Sequence, residues 1–160
     1  MTLYAYEIDR FCSKWSPMCP IVDRSTFTQR IRDSLSEVDS SEMVSRKTLI
    51  LIFQLFAAMA INALADFARQ NILDNYDALL ASLFPMVSEA GNIESLRGLL
   101  LYATVLQMEG RYRLATQVNG IIVRLAQSLG LHRHSRRFSH TPSEVEQRKR
   151  LWWSVFICDT

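Results

Sequence analysis

Apolar residues recur at steps of three and four along most of this chain, and nowhere do they alternate for long enough to suggest a strand. The clearest pattern covers residues 111–129, where Leu114, Val118, Ile121, Ile122, Leu125, Ala126 and Leu129 form one stripe. Gly130 then stands where a helix end wants a left-handed residue. Leu131 follows in position to fold back on Leu125 or Ala126. Upstream, Asn92 can cap a helix over 93–107 that carries Leu96, Leu99, Leu100, Ala103 and Leu106 inward and runs towards Gly110. These two segments predict an antiparallel helix pair.

The remaining elements follow from the same reading. Residues 4–15 suggest a short helix with Tyr4, Ile8, Phe11 and Cys12 on one side, ended by extended chain before Pro17 and Pro20. Ser25 can cap a second helix with Phe27 and Ile31 facing inward, and the polar stretch 34–41 reads as a loop. A long helix is expected over 42–70, apolar on nearly all faces and so central to the core. Residues 74–89 place Tyr76, Leu79, Leu80 and Leu83 on one face. Pro85, which costs about 3 kcal/mol inside a helix, predicts a kink or break there.

After a polar, basic stretch over 132–140, Thr141-Pro142-Ser143-Glu144 restarts a helix as cap, first-turn proline and capping-box carboxylate. Glu144 with Arg148 and Glu146 with Arg150 are i,i+4 pairs in the favourable order. From Leu151 the helix is apolar almost all round, through Trp152, Trp153, Val155, Phe156, Ile157 and Cys158, and no stop signal precedes Thr160. A helix this apolar without its cover is expected of a truncated domain, and the isolated chain is expected to aggregate or stay partly molten. The fold class expected is all-α, a multi-helix array of antiparallel helix pairs truncated at its C-terminus.

Composition narrows this picture. With 49% hydrophobic and 21% charged residues the chain is globular, and five Gly and four Pro favour short loops between long helices. Residues 49–67 are apolar enough to raise a membrane reading, but Gln54, Asn62 and Asp66 interrupt them, and the longest unbroken run is 55–61 against the ~20 residues a span needs. A buried core helix is the better reading, and no membrane partner is expected. A net charge of +2 is too small to argue for nucleic acid, and no basic region followed by an apolar run suggests a signal peptide.

Candidate chemistry is sparse. Cys12, Cys19 and Cys158 lack the paired spacing of a zinc module or a disulfide framework, and fit a reducing compartment. His132, His134 and His140 lie among Arg133, Arg136 and Arg137, whose charge disfavours a cation, and read as solvated loop histidines. Cys158 sits in an apolar helix where a thiol is usually inert, and Cys12 and Cys19 have no obvious base. Five scattered glycines make neither a phosphate loop nor a nucleophile elbow. Between Gly130 and Arg150, six Lys/Arg face two Glu; phosphate binding is open to such a cluster, but a solvated or ion-paired face is the commoner outcome. Asp159, seven residues after Trp152, needs a partner if buried, with Arg124 or Arg133 as candidates and a fold-locking ion pair as its role. No catalytic residue, cofactor or metal ligand is assigned, and the chain is not expected to be an enzyme.

Several of these motifs carry a resemblance. Leu129-Gly130-Leu131-His132-Arg133, then Thr141 to Glu146, then Arg148-Lys149-Arg150-Leu151-Trp152-Trp153 and Asp159, resemble the fungal-specific transcription factor domain, or middle homology region, of zinc-cluster transcription factors. Pro17 to Val22 and Asp23 up to Phe27 look like the opening segment of that family, so the similarity covers about 11–160. His134 stands where an acidic residue often follows, and Thr160 where an arginine often does.

The resemblance implies that residues 1–160 are the N-terminal part of a regulatory helical domain in a nuclear protein that regulates transcription by RNA polymerase II. DNA and zinc would be bound by a separate six-cysteine module absent from this chain. A homodimer, a small-molecule effector or a co-regulator protein are the partners through which such a segment would act. Gly130, Leu131, His132, Arg133, Arg148, Arg150, Leu151, Trp152, Trp153 and Asp159 would be structural motif residues, with Trp152 and Trp153 as core anchors. A helical protein-interaction scaffold without a DNA-linked role is the alternative from another class, although no fixed repeat period supports it. A small helical enzyme is a third, without a catalytic set to recommend it.

Overall fold

A computed structural model describes residues 3–15, 21–40, 44–66, 73–133 and 141–159. Among them lie seven helices and no strand: α1 (Leu3–Trp15), α2 (Arg24–Ser40), α3 (Arg46–Leu64), α4 (Leu73–Ala90), α5 (Ile93–Met108), α6 (Tyr112–Ser128) and α7 (Pro142–Asp159). The all-helical expectation holds.

The core is built on α3 and α5. Helices α1, α2 and α4 pack on α3, while α4, α6 and α7 pack on α5. The two central helices approach closely at Gly98, where an added Cβ would stand 3.0 Å from Phe53 Cδ1. Aromatic rings tie this centre to α4: Phe53 meets Tyr102 at 5.7 Å, Tyr102 meets Phe84 at 5.6 Å, and Phe56 meets Tyr76 at 5.6 Å. By length and hydropathy α3 could cross a membrane, but its apolar residues are accounted for by burial in this core.

Local boundaries correct several expectations. The cap of α2 is Asp23, not Ser25: Asp23 Oδ2 accepts from Thr26 N at 3.0 Å, Ser25 Oγ at 2.7 Å and Thr26 Oγ1 at 2.8 Å. These hydrogen bonds, led by the backbone one, hold the Asp23 carboxyl below the usual carboxylate range. The polar stretch expected as a loop over 34–41 is helical through Ser40, because Phe27, Ile31, Ser34 and Leu35 continue one inward face.

Helix α3 is shorter than the expected 42–70. Ser45 caps it by accepting from Thr48 N, and beyond its end Asp66 is held by Arg10 of α1 at 3.0 Å. Helix α4 runs through Pro85 without a break. Pro85 and Ala81 are both exposed, so the carbonyl left without a donor can be hydrated. Asn92 caps α5 with a full capping box to Ser95.

Helices α5 and α6 pack on each other, as the pairing predicted, and both end the same way. After α5, Gly110 N donates to Gln107 O and Arg111 N to Leu106 O; after α6, Gly130 N donates to Gln127 O and Leu131 N to Ala126 O. Gly110 and Gly130 have φ of 75° and 68°, the left-handed geometry this stop requires. Along α6, Val118, Ile122 and Ala126 are buried, but Ile121 of the expected stripe stays exposed.

Candidate functional site

The two motifs separated in sequence meet at one corner of the fold. Leu131 turns into the core just after Gly130. The His132 ring lies 6.2 Å from the ring of Trp152 on α7. Arg148 crosses the same corner, and its Nη2 donates to the free carbonyl of Leu129 at 2.7 Å, satisfying an orphan acceptor at the end of α6. Arg148 was expected to serve Glu144, whose carboxylate accepts from Thr141 N at 2.8 Å to complete the capping box. Arg150 makes the expected pair with Glu146 at 2.9 Å, on an exposed face. Arg133 is exposed beside His132.

Helix α7 departs from expectation at its aromatic pair. Leu151 and Val155 are buried and Trp152 is half-buried, but Trp153 is 60% exposed, so it is not a core anchor of this chain. Trp153, Phe156 and Ile157 share the outer face, with Trp153 and Phe156 edge to face at 5.9 Å. The far end of α7 is held from within, where Asn119 Nδ2 of α6 donates to Cys158 O. Asp159 ends the helix, and its side chain, like His134, Arg136, Arg137 and His140, lies outside the described residues.

Among the described residues no arrangement activates a cysteine nucleophile. Burial pushes the thiols of Cys12 and Cys158 up, the reverse of what a thiolate needs. Among the described residues no group of three His, Cys, Asp or Glu is placed to hold a metal ion.

A polar cleft that the pattern reading missed lies between α2, α5 and α7. Its centre is Arg97 of α5, whose side chain is 13% exposed. Arg97 Nη1 donates to Ile21 O, and its Nη2 reaches Gln147 Oε1 of α7 at 3.4 Å. Its Nε has no hydrogen-bond partner, with Glu94 Oε1 at 3.7 Å. Glu94 also pairs with Arg30 and accepts from the buried Gln54 Nε2. Burial pushes the Arg97 guanidinium below its ordinary range, which the Glu94 charge partly offsets. The available signal was an arginine set inside the apolar run Leu96 to Leu101. Two hollows open beside it, of about 400 Å³ towards α1 and about 330 Å³ towards the start of α7, and both are lined by Arg97 and Gln147.

The transcriptional regulator nsrM of Aspergillus novofumigatus is 25% identical over 156 residues, covering 90% of this chain and 21% of that protein. An uncharacterised transcriptional regulatory protein, C530.05, of Schizosaccharomyces pombe is 26% identical over 158 residues, 95% of this chain and 20% of its own length. Activator of stress genes 1 of Saccharomyces cerevisiae is 26% identical over 161 residues, 92% of this chain and 16% of its own. The chain thus spans about a fifth of the curated relatives it matches. No solved structure matches. The family match covers residues 8–160, both motifs and the corner they build included, and the chain belongs to the fungal specific transcription factor domain family.

Proposed function

We propose that this chain is the N-terminal part of the regulatory, middle-homology region of a zinc-cluster transcription factor that acts in the nucleus on RNA polymerase II transcription. The observation that carries this reading is the family match over 8–160, together with relatives that are transcriptional regulators. DNA recognition and zinc belong to a separate six-cysteine module. Two of the basic side chains near the corner are engaged locally, Arg148 with a carbonyl and Arg150 with a glutamate. Residues 1–160 contribute the first helices of a longer array. The exposed Trp153, Phe156 and Ile157 give them an apolar face for contacts within that array, in a dimer or with a co-regulator.

The test is twofold. The reading frame upstream is expected to encode a basic cluster of six cysteines. In a fungal reporter strain, deleting residues 1–160 from the intact factor is expected to change output while leaving DNA binding in place. An intact gene without the cysteine cluster, or a deletion that leaves reporter output unaltered, counts against the reading.

A further inference from the structure

We infer that Thr141 is a phosphate acceptor for a proline-directed protein kinase, and that its phosphorylation moves Glu144 from the cap of α7 to Arg148. Residues Thr141 to Glu144 are all exposed, so the hydroxyl is open to an enzyme. Pro142 disfavours helical backbone at Thr141 and keeps it extended, the form in which kinases take up an acceptor segment. Pro142 also brings no N–H, the feature that proline-directed kinases select directly after the acceptor. In the transfer, Thr141 Oγ1 bonds to the γ-phosphorus of ATP and the bond to the β-phosphate oxygen breaks. ADP leaves, and the hydroxyl proton passes to a base of the kinase.

The hydroxyl is already in use, which gives the modification a consequence. Thr141 Oγ1 donates to Glu144 Oε2 at 3.0 Å, and Thr141 N donates to the same oxygen at 2.8 Å. A phosphoryl group takes the place of the hydroxyl proton and sets a charge of about −1.5 to −2 beside that carboxylate. Its oxygens can serve the N–H groups of the first turn themselves, where the helix dipole favours them, so Glu144 is displaced. Arg148 stands at i+4 from Glu144 in the favourable order, and both line one hollow. Arg30 and Arg97 line it too, but each is already paired with Glu94. Arg148 spends its charge on a neutral acceptor, the Leu129 carbonyl at 2.7 Å, and a carboxylate competes better for a guanidinium than a carbonyl does. Once Arg148 turns to Glu144, the end of α6 loses its polar tie to α7 and the corner is unlatched. The acceptor site stands without the regulatory reading; an effect on transcription would rest on it.

Incubating the full chain with a proline-directed kinase and Mg-ATP, then mapping the phosphate by mass spectrometry, tests the acceptor. Transfer to Thr141 is expected, about tenfold or more faster than in Pro142→Ala, which keeps the acceptor and changes only an exposed residue. No transfer to Thr141, or the same rate in Pro142→Ala, overturns the site. So does transfer confined to Ser16, which also precedes a proline and lies outside the described residues. Amide exchange then reads the corner. Phosphorylation is expected to speed exchange at Gly130 and Leu131 several-fold over the unmodified chain and to leave α3 unchanged. Glu144→Gln can still cap α7 but cannot draw Arg148 by charge, and is expected to remove that response. Unchanged exchange in the phosphorylated wild type, or the same response in Glu144→Gln, overturns the exchange of partners.

Discussion

Helix α3 and the second half of α7, from Leu151 on, are written in nearly the same alphabet and have different fates. Both stretches are apolar around most of their circumference. Helix α3 is enclosed by α1, α2, α4 and α5, and Phe53 at its middle has no exposed surface. Helix α7 rests on α5 and α6, and leaves Trp153, Phe156 and Ile157 more than half exposed. An apolar sequence states a demand for cover, and the neighbours decide whether it is met. The contrast also separates two uses of the hydrophobic effect: in α3 it stabilises this fold, and in α7 part of it remains available for association.

Substitution at the two helices gives the largest test of the contrast. Phe53→Ala is expected to lower unfolding stability by about 3–5 kcal/mol, and Trp153→Ala by under about 0.5 kcal/mol, both read from urea midpoints. Comparable losses at the two positions would show that the α7 face is covered after all.

Next in size is Gly130→Ala, which forces a side chain into the left-handed geometry at the end of α6 and is expected to cost about 1–2 kcal/mol. Amide exchange should show the α6–α7 corner opening before the α3–α5 centre does.

A pair of glycines gives opposite signs. Gly98→Ala pushes a methyl against Phe53 and is expected to destabilise by about 1 kcal/mol net. Gly120→Ala, with nothing within 4 Å of its added Cβ, is expected to stabilise α6 by about 0.5–1 kcal/mol. Melting temperatures distinguish them.

The smallest effect concerns α2, one of the covers of α3. The Asp23 carboxyl titrates below its unfolded value, so its contribution is complete above about pH 4 and is lost as pH falls through the lower folded value. Asp23→Asn should therefore lower stability across the neutral range by that contribution, leave the low-pH end nearly unchanged, and so flatten the acid limb of stability against pH. An acid limb as steep as that of the wild type would assign it to other carboxylates.

What the sequence could disclose was local. Gly130, Leu131, Thr141 and Glu144 announced a stop and a start, and the hydrogen bonds at each are those that the spacing required. What it concealed depended on neighbours. The serines of 34–41 read as loop, because their polarity hid Leu35 and the buried side of Ser34. Pro85 read as a break, because its exposure was unknown. Trp153 read as an anchor, because a tryptophan beside another tryptophan says nothing about which of the two faces the core. Arg97 was passed over, since its importance arises from Ile21, Glu94 and Gln147, which lie far from one another along the chain. The motifs themselves were legible, but their meeting through Arg148 with Leu129 and His132 with Trp152 was not.

The paired glycine stops that bracket α6 make that helix a ruler. Seventeen residues at 1.5 Å each set a span of about 25 Å between the turn at Gly110 and the corner at Gly130, and neither end can slide without losing its hydrogen bonds. One inserted residue would turn everything beyond it by about 100°, carrying the corner at Gly130 and α7 with it, and Gln147 away from Arg97. Substitutions on the outer face of α6 are therefore cheap, and a change in its length is not.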